Sequence, residues 1–328
     1  MHLLEVLRAR RRIAPYVHRT PLVTSAWLSD VARATVRLKL ESLQVTNSFK
    51  SRGAFNAVIA HLGRGPRAAP LVTASAGNHG RALAAAAEAF SLGLTVFTPA
   101  DAPRTKLDAI RRHGAELRAE GRDYDDAERM AKAFATSTGA VFVSPYNDAD
   151  VIAGAATIGL EIFEDAPATN ALVIPIGGGG LASGVAVVAK AIGPHTFVSG
   201  VEVEASCAFQ TSVRAGRLVE IVPRPTLADG LGGNPDPDTV TFGFIQKYVD
   251  EIVTVDESAL GAAVAGLATS EHLIAEGAGA AALAAVLAKK IDLQGRDVTV
   301  IVSGGNIDAD RFAQVLATSA ESKARSAR

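Results

Sequence analysis

Cysteine is nearly missing from this sequence: Cys207 is the only one among 328 residues. A lone thiol excludes an intramolecular disulfide framework and any zinc cluster built on cysteines. Charge of one sign is missing as well. Thirty-three basic residues face 34 acidic ones, the formal net charge is −1, and the charges are scattered, so the electrostatic footprint of a nucleic-acid binder is absent. No apolar run is long enough to span a bilayer, and the opening MHLLEVLRARRRIAPYV lacks a small-residue cleavage site. That stretch reads as an amphipathic helix whose arginines, at 8–12, form a solvated face. Internal repeats and low-complexity linkers are also lacking. The expectation is a cytoplasmic globular protein, with no nucleic acid and no membrane among its partners, whose ligand is small.

What the sequence does have is ample apolar content, 48% of its residues, enough for one large domain or two ordinary ones. Apolar β-rich runs such as TVRLKLE, APLVTAS, ALVIPIG and VTVIVSG alternate with Ala-rich helical stretches such as RALAAAAEAF and LASGVAVVAKAI. That rhythm predicts an α/β fold of parallel sheets flanked by helices. Two Gly/Pro-marked interruptions, HLGRGPRAAP (61–70) and SPYNDADVIAG (144–154), predict crossings between lobes. The expected division is a discontinuous large domain, 1–61 and 148–320, a small inserted domain, 62–147, and a frayed tail, 321–328.

Four local patterns carry chemistry. In ALVIPIGGGGLASGVAVVAKAIG (171–193) a strand runs into Gly177, Gly178, Gly179 and Gly180 before a helix begins near Leu181. Glycines let backbone amides approach an anion, and the helix N-terminus adds partial positive charge, so this is a phosphate cradle. It also satisfies a dinucleotide fingerprint formally, with Gly177, Gly179, Ala182 and, about 20 residues on, Glu202, so a dinucleotide-binding oxidoreductase stands as one alternative. In VTASAGNHGRALA (72–84) a strand meets Ser75, Ala76, Gly77, Asn78 and His79 before a helix, an arrangement suited to a carboxylate. In VTVIVSGGNID (298–308) a strand delivers Ser303 to its C-terminal end, where ligands of open parallel sheets bind. In LQVTNSFKSRGA (43–54) Lys50 follows Phe49 at a helix start, where desolvation can keep an amine neutral and reactive.

Together these parts resemble the fold type II pyridoxal phosphate (PLP) enzymes, and within them the threonine/serine dehydratase and serine racemase group. The matching motifs are LKLESLQVTNSFKSRGA, TASAGNHGRALA, GGGGLASG, LADGL and VSGGNID, in the family's order over nearly the whole chain. The resemblance implies a two-domain, tryptophan synthase β-like fold, a homodimer, pyridoxal 5'-phosphate as cofactor and a small amino acid as substrate. It implies that Lys50 carries the cofactor as a Schiff base and takes the Cα proton, and that Phe49 lies against the cofactor ring. It implies further that Asn78 bonds the ring 3-hydroxyl, that Gly177 to Gly180 and Leu181 hold the phosphate, and that Ser303 faces the pyridine nitrogen. Ser75, Gly77, Asn78 and His79 would receive the substrate carboxylate. The implied reaction is β-elimination from a small β-hydroxy amino acid, of the threonine, serine or 3-hydroxyaspartate type, giving a 2-oxo acid and ammonia. Amino-acid racemisation on the same fold is the nearest alternative.

Departures from the family pattern sharpen this. Asn47 stands where the family usually has glycine, a position asn tolerates because it adopts left-handed backbone angles more readily than most residues. Ala76 stands where racemases carry a serine as second acid/base, which favours the dehydratase. Glu202 matches one ligand of the family's cation site, but VEVEASCAF has no aspartate for another, so no metal is expected. The usual E-P-x-G-A reads Glu276-Gly277-Ala278-Gly279-Ala280. The sequence stops soon after VSGGNID, which leads one to expect no effector domain and an unregulated, catabolic role.

Overall fold

A computed structural model describes residues 1–65 and 69–326. Among these, ten strands form: β1 (Leu22–Thr24), β2 (Thr35–Leu40), β3 (Leu71–Ala74), β4 (Leu94–Pro99), β5 (Glu116–Gly121), β6 (Val141–Phe142), β7 (Ala171–Pro175), β8 (Phe197–Val203), β9 (Glu251–Val255) and β10 (Asp297–Val302). The helices are α1 (Leu3–Ile13), α2 (Ala26–Ala32), α3 (Lys50–Leu62), α4 (Asn78–Ala89), α5 (Arg104–Arg111), α6 (Tyr124–Thr138), α7 (Ala149–Asp165), α8 (Gly180–Ile192), α9 (Ala208–Ala215), α10 (Thr241–Tyr248), α11 (Glu257–Ser270), α12 (Gly277–Leu287) and α13 (Ala309–Ser326). The tail expected from residue 321 continues α13 to Ser326, and 327–328 lie outside the described residues. So do 66–68, in the middle of the first expected crossing.

The strands sort into a six-stranded sheet, ordered β1-β2-β10-β7-β8-β9, and a four-stranded sheet, ordered β5-β4-β3-β6. Every pairing is parallel except β1 with β2. The apolar runs explain the central positions: all of β3 and all of β7 are buried, because helices cover both faces. At one edge, β5 is exposed at Glu116 and Glu120, half-buried at the three residues between them, and carries the charged Glu116, Arg118 and Glu120. The sequence gives no sign of β1, which is three residues long and too short to display a period of two.

Two features fix α3, the helix that Lys50 opens. First, α7 packs against it through glycine: a Cβ at Gly154 would lie 2.3 Å from the carbonyl oxygen of Arg52. Second, Arg52 anchors a buried four-charge cluster. Its guanidinium donates to Glu41 at 2.8 and 2.9 Å and to Glu161 at 2.6 and 2.9 Å. Lys39 of β2 donates to Glu161 at 2.6 Å, so two cations meet two anions away from water. Such a cluster contributes little net stability when complete, yet losing one member strands a buried charge.

Candidate active site

The segments that follow the C-terminal ends of β3, β4, β7 and β10 converge on one cavity of about 430 Å³, closed on other sides by Lys50, α5 and the 229–234 loop. Of the residues singled out in the sequence, Phe49, Lys50, Ser75, Gly77, Asn78, His79, Gly178 and Ser303 line it. Gly177, Gly179, Gly180 and Leu181 do not; they lie behind that wall, where Leu181 packs into the core.

Lys50 is the first residue of α3, half-buried, with its Nζ donating to the carbonyl of Pro145 at 2.8 Å. Burial pushes its pKa down to about 8, and a position at a helix N-terminus disfavours positive charge as well. The approach to this helix is unusual. Thr46 and Asn47 both adopt left-handed angles, φ 61° and 58°. The expectation of such geometry at Asn47 is met; at the β-branched Thr46 it is uncommon and is held in place by outside bonds. Thr46 Oγ1 lies 2.8 Å from Ser51 Oγ, and the Thr46 carbonyl accepts from Asn306 at 2.8 Å.

The tetraglycine bend has two reasons for its composition. Gly179 sits at φ 86°, a conformation that side chains rarely adopt. At Gly178 the reason is contact: an added Cβ would fall 2.3 Å from the ring of Tyr146, which is buried against the bend. The hydroxyl of Tyr146 accepts the amide of Asp236 at 3.0 Å, and the carbonyl of Gly178 accepts from Thr241 at 2.9 Å. Because the bend passes directly into α8, its amides are free to point at an anion.

In the second loop, Gly77 caps α4 with nothing within 4 Å of where a Cβ would stand, so the cavity reaches its backbone. Ser75 is buried and its hydroxyl accepts the Gly77 amide at 3.2 Å. His79 faces inward: Nε2 lies 3.3 Å from the Val143 carbonyl, to which it donates, while Nδ1 has no partner among the described residues. Burial, aided by nearby Lys50, pushes its pKa down to about 3. A neutral ring with its proton on Nε2 presents only a lone pair at Nδ1, so His79 can serve a carboxylate through its main chain and not through its ring.

Asn78 holds the centre. Its Nδ2 donates to Glu276 at 2.6 Å, and its Oδ1 accepts from Asn306 at 2.7 Å. Asn306 in turn accepts from Arg81 at 2.6 Å. Glu276 is buried, and burial pushes its pKa up to about 7. Ser303 is buried with its hydroxyl 3.4 Å from the Ala278 carbonyl, its nearest protein acceptor. Glu276, Asn306, Arg81, Tyr124 and Tyr146 also line the cavity and were not singled out in the sequence. Asn306 and Arg81 sit inside the motifs VSGGNID and TASAGNHGRALA and Glu276 opens EGAGA; the two tyrosines stand outside the family motifs.

The cavity mouth is bridged between α5 and the loops facing it. Lys106 forms an ion pair with Asp229 of LADGL, and Thr105 donates to Asp308 at 2.9 Å.

Glu202, the acidic residue of the dinucleotide fingerprint, is not available for a ribose. One oxygen accepts the Phe209 amide at 2.9 Å and the other the Gln210 amide at 2.7 Å, so the carboxylate caps α9. Among the described residues, no group of three or more His, Cys, Asp or Glu side chains is placed to hold a metal ion.

Comparison with known proteins agrees with this geometry. The family model described as "Pyridoxal-phosphate dependent enzyme" matches residues 13–304. An L-threonine ammonia-lyase of Thermotoga maritima is 43% identical over 312 residues, covering 95% of this chain and 77% of its own. An L-threo-3-hydroxyaspartate ammonia-lyase of Saccharomyces cerevisiae is 36% identical, covering 95% of both chains. The structure of maize serine racemase superposes with a TM-score of 0.89 at 30% identity, covering 98% of each chain.

Proposed function

The chain belongs to the pyridoxal-phosphate dependent enzymes, and on that premise we propose that it is an ammonia-lyase, a dehydratase that eliminates the hydroxyl of a small β-hydroxy amino acid and yields a 2-oxo acid and ammonia. The observation that carries this reading is the half-buried Lys50, its pKa near 8, in the wall of the cavity that the Gly178 bend also lines. The likeness to the threonine and 3-hydroxyaspartate ammonia-lyases supports it over most of the chain.

The residues present fit pyridoxal phosphate. Gly178, in the bend that leads into α8, brings backbone to the cavity wall for a phosphate, Phe49 offers a ring face, Asn78 an N–H, and Ser303 a hydroxyl without charge. When bound, the cofactor supplies the electron sink for the pair left as the Cα–H bond breaks. Lys50 offers the uncharged amine that bonds an aldehyde and that accepts a proton from Cα. Ser75, the backbone around Gly77 and the Asn78 and His79 amides orient the substrate carboxylate, which fixes the Cα–H bond relative to Lys50. A serine at position 303 would offer a ring nitrogen an uncharged hydroxyl, which would not favour its protonation.

The likeness to a serine racemase favours racemisation as a second reading. Ala76 weighs against it: it presents a methyl in the cavity wall where a second acid/base would have to stand.

We also take the lobes to divide near residues 62 and 147, and the enzyme to act in the cytoplasm as a homodimer with a small amino acid as its substrate. Among the described residues no helix is long and apolar enough to cross a membrane.

The test is a panel of amino acids assayed for 2-oxo acid and ammonia together. Equimolar release from threonine, serine or 3-hydroxyaspartate is the expected result. Enantiomer formation without 2-oxo acid would replace the lyase by the racemase.

A further inference from the structure

Asn78 lies at the middle of a one-way chain of hydrogen bonds. Arg81 Nη1 donates to Asn306 Oδ1 at 2.6 Å; Asn306 Nδ2 donates to Asn78 Oδ1 at 2.7 Å; Asn78 Nδ2 donates to Glu276 Oε1 at 2.6 Å. Asn306 has no freedom to turn over, because its second N–H goes to the Thr46 carbonyl at 2.8 Å and its oxygen also faces Asn47 Nδ2 at 3.4 Å. Both ends of its amide are saturated. Glu276 is fixed as well: its amide donates to the Gly304 carbonyl at 3.2 Å, and its carboxyl occupies the space that a Cβ on Gly304 would enter, 2.2 Å from Oε1.

Reversing the Asn78 amide would set its oxygen against the oxygen of Glu276 and its NH2 against the NH2 of Asn306. The Asn306 contact would become repulsive in any state and the Glu276 contact wherever its carboxyl is ionised, and the bond from Asn306 would be lost. One orientation therefore survives, and in it the second N–H of Asn78 has no partner among the described residues, although Asn78 lines the cavity.

We propose that Asn306 and Glu276 are positioning residues that lock Asn78 in the amide orientation offering an N–H, and not a carbonyl, to the cofactor. This inference rests on the reading of the cavity as a pyridoxal phosphate site. It gives the last residue of VSGGN and the first of EGAGA a task, and it explains Gly304, whose missing side chain makes room for the Glu276 carboxyl. Asn306 also ties the lysine motif to the site by holding the Thr46 carbonyl, so the strained turn before Lys50 and the orientation of Asn78 depend on one amide.

The experiment uses the holoenzyme and reads cofactor dissociation and the pH titration of its visible band, neither of which requires turnover. Asn306→Asp keeps the shape and the acceptor for Arg81 but removes both donations. It is expected to weaken cofactor binding by about tenfold and to shift the titration of the band. Combined with Asn78→Ala its effect should be clearly smaller than in the parent, because the part that runs through Asn78 is already lost and only the Thr46 contact remains to lose. Glu276→Leu should reproduce the shift of Asn306→Asp, and Glu276→Gln, which keeps an acceptor oxygen, should restore the parent titration; this pair decides the matter if Asn306→Asp does not fold. A parent-like band and dissociation constant in Asn306→Asp, independent effects of Asn306→Asp and Asn78→Ala, or equal shifts in the two Glu276 variants would overturn the inference. A parent protein that takes up no pyridoxal phosphate would instead overturn the functional reading beneath it.

Discussion

The amide of Phe49 donates to the carbonyl oxygen of Ser303 at 3.0 Å, and beside it Ser48 and Gly304 form an isolated antiparallel bridge. The residue before Lys50 and the strand-end Ser303 are thus parts of one backbone assembly, although they come from opposite ends of the sequence. A displacement of either is transmitted to the other, and the cavity keeps its shape because β10 and the start of α3 are stitched together.

The depressed pKa of Lys50 is a statement about stability. Its folded value, about 8, lies below the ordinary 10.5, so between these the unfolded chain binds more protons and stability rises with pH. The contribution is fully present above 10.5 and is lost as pH falls through 8. In cofactor-free protein, Lys50→Met is expected to be more stable than the parent at pH 7 by on the order of 2 kcal/mol, shrinking as pH rises from 8 to 10.5. Denaturant melts of both proteins across that range check it; a difference independent of pH would contradict the buried, depressed amine.

Gly178 and Gly177 should behave unequally. At Gly178 a methyl meets the Tyr146 ring at 2.3 Å, whereas at Gly177 the nearest atom, the Gly230 carbonyl oxygen, is at 3.1 Å. Gly178→Ala should cost about 2 kcal/mol of stability through overpacking and weaken cofactor binding more than tenfold. Gly177→Ala should cost under about 1 kcal/mol. Thermal melts and cofactor titration of the pair provide the comparison, and equal behaviour would remove Tyr146 as the reason for glycine there.

Arg52 holds two buried carboxylates at once, and Lys39 alone cannot neutralise both. Arg52→Met should destabilise the protein by about 3–5 kcal/mol, the usual consequence of removing one member of a buried charge cluster. Equilibrium unfolding measures this directly. A loss below 1 kcal/mol would mean that water or rearrangement satisfies Glu41 and Glu161.

How much of this was legible in the sequence follows from the range over which each signal acts. The strands β3, β7 and β10 declare themselves because a sheet covered on both faces favours near-continuous apolar runs, broken in β3 and β10 only by threonine and one terminal aspartate. Lys50, Gly178, Asn78 and Ser303 could be picked out because each sits at a strand end or helix start with its own local grammar, and the fold brings all four to one cavity. The roles of Glu276, Asn306 and Arg81 were not legible, since they exist only through contacts that span about two-thirds of the chain. Glu202 shows the opposite failure: its spacing after the glycines fits a ribose ligand, yet the start of α9 consumes its carboxylate. For His79 the sequence pointed to the substrate carboxylate without dividing ring from main chain, and the Val143 carbonyl takes the ring Nε2.

The most direct test is where the cofactor becomes attached. Purified protein incubated with pyridoxal phosphate, reduced with borohydride and digested should show the added mass on the peptide containing Lys50, with loss of the visible band. Attachment to any other lysine, or no attachment while 2-oxo acid is still produced from a β-hydroxy amino acid, would contradict the account.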